Sequence, residues 1–381
     1  MRKCVRAARV FTGRDVRENA WLVLNETGIE GLSDAPRGEV AGECAVLTPA
    51  FIDPHSHIGI HRHGEPGRDS ESNDTLDSIL PLPDVLDSVQ MDDVAFATAM
   101  ESGILYSCVV PGSANIIGGL SAVIRHCAPH STAALVERAG IKAALGYNIM
   151  AYGGTKGTRP TTRRGALAVL RARLYVVRDK AAKAAKGAKG AARAELLTEE
   201  ERILKGLLDG RMRLRVHAHK IDDIAALLRL VDEFKLRVSV EHAMDVNRPE
   251  IFQELRKRRI TVVYGPLDTT SSKVELLHKH WRNVRILIES GVDFCLMTDH
   301  PVTPSWTLLQ QTRTLLRCGL SKQEALETLT RKAAVFLGID DRLGTLARGK
   351  WASFTCWSGD PFDIASRPLA VYAEGRPVFQ E

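Results

Sequence analysis

Four apolar runs in this chain stop at a histidine or an aspartate, and that recurrence restricts the fold more than any other feature. Phe51-Ile52 leads into Asp53-Pro54-His55-Ser56-His57, and Leu214-Arg215-Val216 leads into His217-Ala218-His219. Val238-Ser239-Val240-Glu241 leads into His242, and Phe294-Cys295-Leu296-Met297-Thr298 leads into Asp299-His300. Residues two apart on a strand share a face, so each H-x-H turns both imidazoles to the same side. One H-x-H is ordinary on a protein surface. Repeated at several strand ends, the pattern fits parallel strands whose C-terminal ends meet at one rim, the rim where barrel active sites lie. Imidazoles with a carboxylate are donors for a divalent metal.

The rest of the middle region alternates short β-branched runs with longer helical patterns, as βα units around a parallel sheet do. Expected strands are Ala45 to Leu47 running into Phe51 and Ile52, Leu105 to Val110, Lys142 to Leu145, Leu214 to Val216, Val238 to Val240, Thr261 to Val263 and Phe294 to Met297. Closing a barrel needs an eighth, and either Leu120 to Ile124 or Leu174 to Val177 can supply it. Both chain ends read as short strands punctuated by glycines. The expectation is an α/β fold: a (β/α)8 TIM-like barrel over 49–339, with a small β-sandwich domain formed by both termini, 1–48 plus 340–381.

Composition excludes other classes. Hydrophobic residues at 44% and charged residues at 26% suit a water-soluble globular chain. No apolar run approaches the roughly 20 residues of a membrane span, and MRKCVRAARVFTG lacks the apolar stretch of a signal peptide, which points to the cytoplasm. The seven cysteines are scattered without a C-x-x-C, as reduced thiols are. The net charge of +6 is local in origin: Lys156 to Ala194 holds twelve basic residues and the single acid Asp179. A basic, low-complexity connection at about 178–195 accounts for much of it. Without an aromatic residue between Lys180 and Ala194 to stack on bases, it reads as a solvated connection rather than a nucleic-acid arm.

The motifs PAFIDPHSH, VHAH, VEHA and TDHP, with the closing LTRKAAVFLGIDDRLGTLARGKWASFTCWSGDPFD, resemble the amidohydrolase superfamily of metal-dependent hydrolases. Within it, the segments His61 to Asp74 and Pro111 to Gly119 are similar to the imidazolonepropionase-related branch. The resemblance implies that His55, His57, His217, His242 and Asp299 bind a divalent metal, Zn²⁺ before Fe²⁺ or Mn²⁺. Such an ion brings the pKa of bound water to about 7. Asp299 is then implied as the proton acceptor and His219 as a second catalytic group. The polar loop offers His61, His63, Arg68 and Glu71 for substrate binding, with Arg68 as a carboxylate clamp; Asn115 and His300 complete the set.

Related proteins with two metals bridge them through a carboxylated lysine or a glutamate on a middle strand. Here Gly146-Tyr147-Asn148 follows the strand in question, and Lys142 is read as starting it, so a single ion is expected; Lys156 or Glu71 would be the bridge otherwise. The implied activity is hydrolysis of a non-peptide C–N bond, a cyclic amide or a related small molecule. Deamination of an aminated heterocycle, a dipeptidase or carboxypeptidase activity, and a catalytically silent binding homologue are the alternatives. The partner expected is a small molecule, neither nucleic acid nor membrane, and self-association into a homo-oligomer stays open.

Overall fold

In the computed structural model, residues 2–152, 154, 156–187, 197–270 and 273–381 are described. Two sheets organise the chain. The first takes its strands from both ends: β1 Lys3–Phe11, β2 Val16–Asn25, β3 Gly28–Ser33 and β4 Glu39–Pro49 from the start, and β13 Phe354–Trp357, β14 Pro368–Ala373 and β15 Arg376–Gln380 from the end. Hydrogen bonding joins all of them in one seven-stranded sheet, ordered β15-β14-β13-β4-β1-β2-β3. Val5, Ala7, Leu22, Leu24, Leu47 and Phe354 bury one face of it in a core of their own, and the strands make one continuous sheet where a β-sandwich was expected.

The second sheet has eight strands in order around the barrel: β5 Phe51–Ser56, β6 Ile104–Val109, β7 Ile117–Arg125, β8 Leu135–Ala144, β9 Leu214–Ala218, β10 Val238–His242, β11 Val262–Tyr264 and β12 Phe294–Leu296. Every residue of β5, β6, β9, β10, β11 and β12 is buried. Such strands are continuous apolar runs because helices cover one face and the barrel interior the other. The sheet and its helices form a TIM-like barrel. Its last seam is closed by residues just beyond β12: Asp299 N donates to His55 O at 3.1 Å and His57 N to His300 O at 2.9 Å. The backbone that closes the barrel thus also carries candidate ligands.

The eighth strand is β7, which contains Leu120 to Ile124. It runs antiparallel to both β6 and β8, so this part of the barrel departs from the all-parallel pattern expected. Leu174 to Val177 lies instead in the helix Arg163–Gly187, where Ala166, Leu170, Leu174 and Val177 are buried. Their spacing of three to four residues makes one helical stripe. Ala45 to Leu47 likewise belongs to β4 of the terminal sheet, and the barrel strand begins only at Phe51.

The basic connection is helical as far as Gly187, and its remainder, 188–195, lies outside the described residues. Part of the charge of this helix is answered by neighbours. Arg171 pairs with Glu233 at 2.8 Å, Arg173 with Glu200 at 2.7 Å and Lys180 with Glu201 at 2.5 Å.

Only Ala50 separates β4 from β5. The junction is held by Phe51, whose ring centroid lies 5.9 Å from that of Trp357, while Trp357 Nε1 donates to Thr48 Oγ1 at 3.0 Å. Burial of a ring such as Phe51 contributes about 1.5–3 kcal/mol. The terminal sheet therefore anchors the first ligand-bearing strand.

A candidate metal centre at the barrel mouth

Each ligand candidate stands where a barrel strand ends. On β9, Arg215, His217 and, just beyond, His219 follow the two-residue period and share one face. On β10 that period would send Glu241 and His242 to opposite faces. His242 instead has φ 81° and Ala243 φ 54°, left-handed backbone that turns the chain at the rim. Glu241 and His242 both reach residues of β5 across the barrel. Asp299, with φ 53°, is placed by a similar local turn after β12.

Two triads result, His55 with His57 and Asp299, and His217 with His219 and His242, each with donor atoms within 4.8 Å of one another. Asp299 Oδ1 lies 3.3 Å from His55 Nε2 and 3.2 Å from His57 Nε2, and its Oδ2 is 4.0 Å from His242 Nδ1. The ring centroids of His217 and His242 are 4.1 Å apart. The two triads therefore form one continuous set of donors.

The hydrogen bonding around the rings fits a metal. His55 Nδ1 bonds Glu241 Oε2 at 2.8 Å, His57 Nδ1 bonds Val110 O at 2.7 Å and His242 Nδ1 bonds Gly265 O at 3.0 Å. An acceptor at Nδ1 fixes the tautomer with Nε2 free to ligate. The buried His55 Nε2, His242 Nε2, His217 Nδ1 and His219 Nδ1 have no hydrogen-bond partner among the described residues. Unpaired buried nitrogens are costly, and a divalent ion is the partner that would satisfy several at once.

Electrostatics act in the same direction. Burial pushes His57 below its usual range, His219 to about 4, and His217 and His242 far down, the last two reinforced by neighbouring histidines. These rings are neutral at neutral pH, the form that binds metal without first losing a proton. Burial alone would raise Asp299, but His242, His55 and His57 outweigh it and hold the carboxyl well below its ordinary value.

Glu241 and Arg215 form the support beneath this centre, and motif reading did not single them out. Arg215, fully buried, donates from Nε to Glu241 Oε1 at 3.2 Å and from a terminal nitrogen to Oε2 at 3.0 Å, and it also bonds Pro54 O. Ser239 Oγ adds a bond to Glu241 Oε1 at 2.5 Å. Burial alone would raise Glu241, but Arg215 and His55 outweigh it and hold the carboxyl well below its usual range, leaving an anion aimed at His55. Breaking such a buried pair on one side costs about 3–5 kcal/mol. A signal was available: Arg215 lies two residues before His217, on the same strand face.

Lys142 corrects another expectation. Its strand starts seven residues earlier than it was read, so Lys142 lies near the C-terminal end of β8, fully buried, with Nζ donating to Ser113 Oγ at 2.7 Å and Pro111 O at 3.2 Å. Burial lowers its pKa to about 8. The premise for a single ion, a lysine stranded at the far end of its strand, does not hold. Lys156 and Glu71, the substitutes considered, are exposed.

A cavity of about 390 Å³ opens over the triads, with His57, His217, His219, His242 and Asp299 on its wall. Of the residues expected to meet substrate, His61 lines it. The others do not. His63 packs its ring 6.3 Å from Trp306, and Arg68 is exposed beside Asp69 at 3.6 Å. Glu71 faces solvent, and His300 is buried behind Asp299, its Nδ1 accepting from Ser305 N at 3.2 Å. The Asn115 amide donates to Asp74 O at 2.9 Å and Asp77 O at 2.7 Å, so its donors hold the loop together.

Loop residues supply what was missed. Glu275 is fully buried, its Oε1 without a hydrogen-bond partner among the described residues, 3.6 Å from His217 Nε2 and 3.9 Å from His219 Nε2. Its other oxygen accepts from Tyr147 N at 2.8 Å. Gly146, with φ 90°, lets the chain pass there, since a Cβ would lie 2.8 Å from Glu275 Oε2 and 3.0 Å from Asp223 Oδ2. Nothing in the periodicity marks Glu275, because it sits on a short turn, Val274–Leu276.

The family model described as "Amidohydrolase family" matches residues 46–378, the barrel together with the end of β4 and the C-terminal strands of the terminal sheet. The chain belongs to the amidohydrolase family. A crystal structure of an amidohydrolase from Thermotoga maritima MSB8 superposes with a TM-score of 0.91 at 31% identity, covering 100% of both chains. Amidohydrolase tasK of Hapsidospora irregularis is 26% identical over 394 residues, 95% of this chain but 40% of that protein. The imidazolonepropionase of Shewanella woodyi is 26% identical over 191 residues, 49% of this chain and 43% of that protein. The matches thus span less than half the length of these two curated relatives. The family is one of metal-dependent hydrolases, and the two triads are where a metal could be held.

Among the described residues no helix is long and apolar enough to cross a membrane.

Proposed function

We propose that this amidohydrolase cleaves a non-peptide C–N bond, in a cyclic amide or related small molecule, with zinc held by the two triads. The observation that carries the reading is the convergence on one cavity of Asp299 and histidine nitrogens that are buried without hydrogen-bond partners among the described residues. Neutral imidazoles with one carboxylate suit zinc. His55, His57 and Asp299 would hold one ion and His217, His219 and His242 a second, a count that Lys142 beside them no longer argues against. Bound zinc supplies an activated water and polarises the scissile carbonyl.

The chain's own residues do the rest. Asp299, kept anionic, can accept a proton at Oδ2 and return it to the leaving nitrogen. His219, a member of the second triad on the cavity wall, would help orient the substrate beside the ion it holds. Glu241 holds His55 in one tautomer. His61 borders the entrance. Residues 49–339 form the catalytic barrel, and 1–48 with 340–381 the β domain that supports it, in a cytoplasmic enzyme whose partner is its small-molecule substrate.

The test is to strip the protein with a chelator, restore zinc and assay cyclic amides, N-acyl amino acids and aminated heterocycles. Turnover of the first group, lost with the metal and regained with it, is the expected result. Ammonia from the heterocycles would select deamination, and free amino acids a peptidase. A folded, fully loaded protein inactive on every group would show a silent homologue.

A further inference from the structure

Among the described residues one acid, Asp299, lines the cavity, and it faces the histidines. Two lysines, Lys273 and Lys279, both on the segment after β11, line the same cavity. Among the described residues neither has an acid in ion-pair contact. Asp268, the acid that acts on Lys279 from nearby, pairs with Arg313 at 3.1 Å. Lys279 Nζ donates to Thr269 O at 2.8 Å and to Thr269 Oγ1. An ammonium has three N–H groups, so one is left over.

Partly desolvated cations without a counter-charge cost free energy, and an anion between them removes that cost. Arg68, the carboxylate clamp expected from sequence, has its side chain 85% exposed and off the wall. At about 390 Å³ the cavity is of a size for a small molecule, and both the triads and the lysines line it.

We propose that Lys273 and Lys279 seat a carboxylate of the substrate, which makes the substrate class a carboxylate-bearing amide. This rests on the hydrolase reading for the chemistry at the other end of the cavity, but not for the binding itself. A carboxylate accepts the spare N–H of Lys279 and a second bond from Lys273, while its amide carbon reaches the triads. The lysines thereby choose both the substrate's charge and its direction of entry.

Matched pairs test it with the zinc-loaded protein: hydantoin-5-acetic acid against its primary amide, and N-acetyl-leucine against N-acetyl-leucinamide. Binding is followed by titration calorimetry and turnover is assayed separately. The acid should bind more tightly by roughly tenfold to a hundredfold, as one or two charge-assisted bonds imply. Lys273→Met with Lys279→Met should erase that gap while zinc content and melting temperature hold. An equal affinity for acid and amide, a gap that survives in the double variant, or no binding by either pair overturns the proposal. Selective binding of the acids with no turnover leaves the lysine site standing and removes the hydrolase reading, so the two fail separately. Single variants serve if the double variant does not fold.

Discussion

The eight-stranded sheet is built in two ways. From β8 through β12 the strands run parallel, and so do β5 and β6, whereas β7 is inserted antiparallel between β6 and β8. All six triad residues come from the parallel part, at or just past the ends of β5, β9, β10 and β12. β7 contributes none. An antiparallel strand points its C-terminal end at the opposite rim, so only parallel strands deliver successive chain ends to one mouth. The antiparallel stretch is packing by comparison, and the variants below probe that division.

The largest effect belongs to the parallel part. Asp299→Asn keeps the shape but removes the proton acceptor, and turnover should fall by about 10²–10⁴-fold with the circular dichroism unchanged. Activity within a few-fold of the parent would take Asp299 out of proton transfer. Glu241→Gln should come next. It retains a side chain of the same size but loses the anion that His55 Nδ1 faces, and zinc affinity should drop by about 10–100-fold in a chelator competition. An unaltered affinity would reduce the Glu241 and Arg215 pair to packing.

The antiparallel part should show itself in stability. His126, just past β7, is fully buried against Ser107, with Nε2 at 2.9 Å from Oγ, and burial lowers its pKa to about 3. The unfolded chain binds this proton below about pH 6.5 while the native chain refuses it until about pH 3, so its contribution is complete above pH 6.5 and is lost as pH falls through that window. In His126→Gln, the urea midpoint should fall less steeply between those limits, with turnover at neutral pH close to the parent's. An identical acid limb would rule out His126 as one of its sources. The smallest effect expected is that of Arg68→Ala, a change of less than about twofold in kcat/KM, as for an exposed surface ion pair. A tenfold loss would bring Arg68 back to the substrate.

Much of the parallel part was legible. Apolar runs ending in H-x-H, E-H and T-D-H carry their own direction, because the run is the strand and the polar end is its C-terminal mouth. The eighth strand was not legible. Leu120 to Ile124 and Leu174 to Val177 are short apolar runs of the same kind, and only the neighbours distinguish them, one pairing with β6 and β8, the other joining a helical stripe with Ala166 and Leu170. Lys142 was misjudged for a related reason. Leu135 to Gly140 is half exposed and uneven, so the beginning of β8 lacked the apolar signal that marks a barrel strand.

By itself the sequence determined the class of fold, the donor residues and the chemistry those donors imply, because strand period and residue type are local properties. Tertiary structure alone decided that β7 runs antiparallel, that Glu241 supports His55 from across the barrel and that Glu275 reaches His217 from a distant turn. It also decided which cations face the cavity, Lys273 and Lys279 in place of Arg68. Contacts between residues far apart in the chain depend on where the backbone carries them, and nothing in either residue's own neighbourhood records that distance.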